Sequence, residues 1–430
     1  MKGMTDRRVV ITGMGVVSPN GVGLENFNRA LKAGESGIQH WEEFVDLNFR
    51  CQIGGKPAIS DEYLAKKLPP YIARKVTNKA IVYACLAGIE AWEDAGLEPL
   101  SKETDFDTGA AFGAGALGLD SFITSRTAPI DEGNNKLLGA STIPQSMSSG
   151  ASAYLNQILG FGNRVMSNSS ACITGSEAVA QGFDWIRRGH AKRMLCGGSE
   201  GDGKYIWGAF DAMRILCNGY NDQPHRGSRP LSSNPVGFVP GAGAGALLLE
   251  DLESAQARGA YIYAEVLGSF VNTGGQRNGG SMTAANPEGV IRCIQGCMKD
   301  ANIDASEIDL INGHLTSTKG DVVEVQNWAK ALGLEGDDFP YINATKSMIG
   351  HCIGGAGSIE LVATVLGMKD SYIHPNLNLE EIHPEILSKV SESKIPTQTV
   401  EKEIDIAIKS NFGFGDLNCC VALKTWKTNN

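Results

Sequence analysis

Along the 430-residue chain, short β-branched apolar runs alternate with stretches whose apolar residues recur at helical spacing. Arg8-Val9-Val10-Ile11-Thr12-Gly13 reads as a buried strand opening the fold, since a short continuous apolar run suits a strand covered on both faces. Further strands are expected at 108–114, 164–166, 193–198 and 246–250. Helical spacing marks 24–33, 74–95 and 252–258, each followed by a glycine able to take the left-handed conformation past a helix end. Residues 176–188 and 210–217 also read as helical, 35–70 as a surface excursion, and 115–165 as a long insertion forming pocket walls or an interface. A second series begins at Tyr261, with strands at 262–267, 308–312, 341–343, 404–409 and 419–423 and helices at 287–301, 322–332 and 358–368. Such alternation is the α/β pattern, with parallel sheets covered on both faces. The two series echo each other: Cys172-Ile173-Thr174-Gly175-Ser176-Glu177 resembles Cys352-Ile353-Gly354-Gly355 with Ser358-Ile359-Glu360.

Composition narrows the function. A net charge of −10 argues against nucleic acid or an anionic membrane as partner. There is no run of 18 apolar residues and no signal-peptide core, so a cytoplasmic protein is expected. The ten cysteines, irregularly spaced, do not resemble a disulfide framework. Cys293 and Cys297 lie four apart on a helix but have no partner pair at zinc spacing, and no metal site is expected. Gly13-Met14-Gly15 lacks the third glycine of a dinucleotide fingerprint, and Pro19 interrupts before a helix begins.

The chemistry centres on Ser167-Asn168-Ser169-Ser170-Ala171-Cys172-Ile173-Thr174-Gly175. A thiol at a strand-to-helix turn meets free N–H groups and the positive end of the helix dipole, which favour thiolate. Small neighbours leave room for a thioester; the alternative is a buried structural cysteine. Of the seven histidines, His40, His190, His225, His374 and His383 lie in polar or proline-rich, surface-like segments. His314 follows the apolar strand ending Asn312-Gly313, and His351 follows a strand and Lys346 before a glycine-rich helix start. Two such histidines and a helix-terminal cysteine point to nucleophilic catalysis.

Ser170-Ala171-Cys172, Asn312-Gly313-His314-Leu315-Thr316-Ser317-Thr318, Lys346-Ser347-Met348-Ile349-Gly350-His351 and Asn411-Phe412-Gly413-Phe414-Gly415 stand in an order and spacing that resemble the elongating β-ketoacyl-acyl-carrier-protein synthases. The resemblance spans nearly the whole chain. It implies an α/β thiolase-like fold, two duplicated halves forming a five-layered α-β-α-β-α core, with the nucleophile in residues 1–259 and the histidine pair in 260–430. It also implies a homodimer, or a heterodimer with a related subunit. No bound cofactor is implied: the substrate arrives on the phosphopantetheine arm of acyl carrier protein.

By the same resemblance Cys172 carries the acyl chain, and the N–H groups of Cys172 and Phe414 form an oxyanion hole. His314 and His351 donate hydrogen bonds to the thioester oxygen on which charge develops. Lys346 pairs with Glu324, Thr316 and Thr318 hold the pantetheine arm, and Phe414 gates the acyl pocket beside Phe210. Arg214, with Lys66, Lys67, Arg74 and Lys75, would dock the acidic carrier. The sequence departs from the family pattern at Gly313 and Leu315, where Ala and Gly are usual, at Asp416-Leu417, and at Asn234-Pro235-Val236. These departures are expected to alter the pantetheine channel and the gate, as in a specialised polyene or polyketide pathway. Competing readings are a thiolase, a non-catalytic partner subunit, and a plain acyl transferase or hydrolase using Cys172 and His314.

Overall fold

A computed structural model describes residues 6–99 and 103–427. Ten strands, with the short Gly21–Val22 added beside the first, make one continuous sheet in the order β8-β7-β9-β10-β6-β1-β5-β4-β2-β3. They are β1 (Val9–Ser18), β2 (Thr108–Ala114), β3 (Val165–Met166), β4 (Arg193–Glu200), β5 (Gly243–Asp251), β6 (Ala264–Thr273), β7 (Leu310–Asn312), β8 (Tyr341–Asn343), β9 (Ile406–Gly413) and β10 (Leu417–Thr425). Strands β3, β2 and β4 run parallel, and β5 and β1 follow antiparallel. Strands β8, β7, β9, β10 and β6 repeat that pattern step for step. The halves meet where β1 pairs antiparallel with β6, Val9 opposite Val266.

The sheet is therefore mixed, not parallel. Strands β9 and β10 are joined only by residues 414–416, and Gly415 and Asp416 take φ of 86° and 62° to turn the chain back. A connection this short makes a hairpin, because a parallel crossover needs a dozen residues or more.

Six helices complete the layers. The central pair is α3 (Thr174–Arg187) and α6 (Ala356–Asp370); α6 is apolar on every side and almost wholly buried. Outside the first half lie α1 (Lys79–Asp94) and α2 (Gly150–Leu159), and outside the second α4 (Pro287–Ala301) and α5 (Gly320–Leu332). A Cβ on Gly175 would stand 2.6 Å from Ser358 N, and one on Gly357 2.6 Å from Ser176 N, so two glycines let the central helix starts cross. That contact aligns Ser176 with Ser358, which sets Cys172 opposite Gly354; the echo read from Cys172 to Cys352 is two residues out.

Other expectations shift for local reasons. The strand at Val9 does not stop at Gly13: Gly13 and Gly15 lie inside β1, where their missing side chains admit the backbone of α1. The helix expected over 74–95 breaks at Asn78, whose side chain caps α1 by accepting the N–H groups of Ala80 and Ile81. The helix expected over 210–217 is Lys204–Ala212; Arg214 has φ 60°, and the Cys217 N–H pairs with Phe238 O. Residues 35–70 carry a small two-stranded sheet, Ile38–His40 with Ile53–Gly55, and the helix Asp61–Lys67. Cys419 and Cys420 alternate faces of β10 as expected, into two different cores.

Candidate active site

From β3 the chain passes through a short 3-10 turn, Ala171–Ile173, into α3. Thr174 braces the turn: its Oγ1 accepts the Ser170 N–H at 2.9 Å and donates to Ala171 O at 2.7 Å. Ala171 takes φ 50°, and the Cys172 thiol is left facing the opposite half of the molecule.

There His351 Nε2 lies 3.1 Å from Cys172 Sγ. The Ile353 N–H donates to His351 Nδ1 at 3.2 Å; a backbone N–H can only donate, so the neutral ring carries its proton on Nε2 and points it at the sulfur. His314 is oriented alike. Asn411 Nδ2 donates to Glu360 at 3.1 Å and lies 3.4 Å from His314 Nδ1, leaving the His314 proton on Nε2. One ligand-type atom each from Cys172, His314 and His351 lies within 4.8 Å of the other two.

Charge around these groups sets their protonation. Burial pushes the Cys172 thiol up to about 11, against the pull of the Lys346 charge and the Phe414 N–H. The expected resting thiolate is therefore a thiol, since desolvation of the sulfur outweighs the Lys346 charge and the Phe414 N–H. Burial, then the Lys346 charge, brings His351 down to about 3; burial, Lys346, His351 and Lys409 hold His314 well below its ordinary value. Both rings are neutral hydrogen-bond donors at physiological pH. Iodoacetamide labelling of Cys172, followed by peptide mass, is expected to speed up about tenfold per pH unit from 7 to 10 without levelling, because only thiolate reacts. A plateau near pH 8.5 would instead mark an ordinary thiol.

Lys346 is buried, with its Nζ 2.5 Å from Glu360 Oε1, so its partner is not Glu324. Glu324 sits on α5 below the end of β7, and its carboxylate accepts the N–H groups of His314 (2.7 Å) and Leu315 (2.8 Å). It shapes the His314 turn rather than balancing the lysine. Glu360 also meets Lys409 Nζ at 2.8 Å. Neither Glu360 nor Lys409 was expected at the site, though each is a charge inside an apolar run (356–368 and 406–412), which is the signal a buried ion pair leaves. His374, expected at the surface, is buried with Nε2 3.0 Å from Thr345 Oγ1.

A cavity of about 550 Å³ opens over the three groups. Thr316 and Thr318 line it with their hydroxyls 3.0 Å apart, and Phe210 and Phe414 meet edge-on at 6.3 Å between ring centroids. Phe238 packs against His351 at 5.4 Å. The two departures read as altering channel and gate do neither directly. Leu315 is fully buried in the core behind the turn, and a Cβ at Gly313 would stand 2.8 Å from its Cδ1. The small residue at 313 makes room for the large one at 315. Asp416 is likewise buried, accepting the N–H groups of Asn286 (2.7 Å) and Gln276 (2.9 Å) behind the cavity wall. Of the docking candidates, Arg214 is exposed beside Ile215, which lines the cavity. Lys66, Arg74 and Lys75 are exposed on the helices Asp61–Lys67 and Pro70–Lys75, and Lys67 pairs with Glu93 at 2.8 Å.

Comparison with known proteins agrees with this geometry. Residues 6–255 match the family Beta-ketoacyl synthase, N-terminal domain, and 263–380 the family Beta-ketoacyl synthase, C-terminal domain. The 3-oxoacyl-[acyl-carrier-protein] synthase 2 of Vibrio harveyi is 35% identical over 98% of this chain and 99% of its own. The chloroplastic 3-oxoacyl-[acyl-carrier-protein] synthase I of Arabidopsis thaliana is 36% identical over 98% of this chain and 87% of its own. A β-ketoacyl synthase structure from Burkholderia phymatum superposes with a TM-score of 0.88 at 29% identity, covering 98% of this chain and all of the other. The chain therefore belongs to the β-ketoacyl synthases, condensing enzymes that extend an acyl group by decarboxylative condensation.

Proposed function

We propose that Cys172 carries the growing chain and that His314 and His351 serve the malonyl half of the cycle. Cys172 Sγ attacks the acyl thioester of a carrier protein; the tetrahedral oxyanion lies against the N–H groups of Cys172 and Phe414, and the carrier thiol leaves with the cysteine proton. Malonyl carrier protein then enters along Thr316 and Thr318. Its carbon–carboxylate bond breaks, carbon dioxide leaves, and the electron pair becomes an enolate whose oxygen takes the Nε2–H bonds of both histidines. The enolate carbon attacks the acyl-Cys172 carbonyl and the carbon–sulfur bond breaks. The cycle ends with β-ketoacyl carrier protein and a Cys172 thiolate that takes up one proton from water. Two neutral imidazoles, each with Nδ1 facing a donor and Nε2–H directed at the thiol's surroundings, are the observation that carries this reading.

The carrier-protein partner follows from the names of the relatives, with Arg214 as the first docking candidate. We divide the roles as nucleophile in residues 1–259 and histidine pair in 260–430. A second copy is the partner we infer at the open edge of β3, the last strand on its side of the sheet. Among the described residues no helix is long and apolar enough to cross a membrane, which accords with a cytoplasmic site of action.

The test uses the purified protein with acyl and malonyl carrier proteins. Release of carbon dioxide with a two-carbon-longer β-keto product, read by mass, is the expected result. Free acid without carbon dioxide would favour the hydrolase reading, and activity only after a second subunit is added would favour a partner-dependent one.

A further inference from the structure

Two buried ammonium groups share one carboxylate beneath the histidine pair. Lys346 lies in the Lys346–His351 stretch that sets out one histidine; Lys409 touches none of the reacting atoms of the condensation cycle. Yet Lys409 is fully buried within β9, and its Nζ meets Glu360 Oε2 at 2.8 Å and the carbonyl oxygens of Asn312 (3.2 Å), Gly313 (3.1 Å) and Ser410 (2.5 Å). Two of these carbonyls immediately precede His314. The third immediately precedes Asn411, whose amide lies against His314 Nδ1.

Three carbonyl oxygens and a carboxylate converging on one buried point repel one another unless a cation holds them, and the repulsion is strong where water is absent. The ammonium thus clamps the two backbone segments that set the place and the tilt of the His314 ring. It also leaves the Lys346–Glu360–Lys409 cluster with one net positive charge behind both imidazoles. His351 depends on other contacts, its own Ile353 N–H and Phe238 ring. Losing Lys409 should therefore displace His314, whereas His351 keeps its contacts and loses only the influence of the charge.

We propose that Lys409 is a positioning residue for the condensation half-reaction, a tethered cation that locks residues 312–314 to residues 410–411 and so holds the His314 Nε2–H on the malonyl thioester oxygen. The proposal rests on the malonyl role of His314.

Single-turnover measurements on Lys409→Ala and Lys409→Gln separate the two halves of the cycle. Acylation of Cys172 is followed by intact mass, and condensation is started by adding malonyl carrier protein to preloaded enzyme. Condensation is expected to fall about 30-fold or more, and at least about ten times further than acylation, because only the malonyl step uses His314. Ammonium or methylammonium at about 100 mM should restore at least about threefold of the condensation lost in Lys409→Ala, while tetramethylammonium, too large for the carbonyl cage, should not. Equal loss in both halves, equal response to all three cations, or normal condensation by folded Lys409→Gln would overturn the proposal. So would failure of both variants to fold, which would make the lysine a stability element. His314→Ala run alongside keeps the readings apart. If it condenses normally, the role of His314 fails; if it is dead while the Lys409 variants are normal, only the Lys409 assignment fails.

Discussion

Cys172→Ala is expected to abolish chain elongation, by about four orders of magnitude or more, while malonyl decarboxylation persists. The two halves of the cycle use different groups, which is why they should part. Acyl transfer needs a sulfur to form the covalent intermediate, and no other cysteine is placed to replace it: among the described residues only Cys172 is grouped with a histidine pair. Carbon–carboxylate cleavage needs only a malonyl thioester whose oxygen meets the two Nε2–H donors, and these do not depend on the sulfur. His314 keeps Asn411, and His351 keeps the Ile353 N–H, when Sγ is removed. The substitution leaves the fold alone, because Ala171–Ile173 is braced by Thr174 and not by the thiol. The experiment compares acylated protein mass, β-keto product and carbon dioxide from one preparation. Loss of carbon dioxide release together with elongation would mean that Cys172 takes part in decarboxylation, against a division of labour between the sulfur and the two imidazoles.

Much of this site was legible because it depends on local signals. Apolar runs ending at Asn312 and Asn343 placed His314 and Lys346 at strand ends, and small residues around Cys172 marked a turn with room beside it. Helices with glycine or asparagine at their ends were placed almost to the residue at Leu24–Ala33 and Pro287–Ala301. What local pattern does not contain is which elements meet. The family resemblance paired Lys346 with Glu324, but α5 turns Glu324 toward backbone N–H groups and α6 brings Glu360 to the lysine. Strand direction was lost in the same way: it depends on the length of the connections, and the three residues between β9 and β10 read as a catalytic loop before they read as a hairpin. Leu315 and Asp416 show the converse error. A departure from a family pattern was taken as a change in the channel, whereas burial sends both side chains away from it and pairs Leu315 with the glycine at 313. They give no argument about which chain the enzyme carries.

The charge cluster makes the second large effect. Glu360→Gln is expected to cost about 3–5 kcal/mol of stability, because removing one member of a buried ion cluster leaves the others uncompensated. Here two ammoniums lose the one carboxylate that pairs with both of them among the described residues, each less than about 3 Å from it. Glutamine keeps the shape and an acceptor oxygen, so the loss reports charge and not packing. In the native protein burial raises the Glu360 carboxyl but Lys346 and Lys409 outweigh it and hold it below its ordinary value, while burial brings Lys409 down to about 8. Without Glu360 the Lys409 value falls further. A lysine whose folded pKa lies below its unfolded one penalises folding most at low pH, and the penalty shrinks as pH rises through the folded value. The variant reaches that point first, shedding a proton that the native protein still binds. Its stability deficit, measured by urea unfolding, should therefore narrow between pH 6 and pH 8.5. A deficit of the same size at both would show that hydrogen bonds lost at Glu360, and not two unpaired ammoniums, are what the substitution exposes.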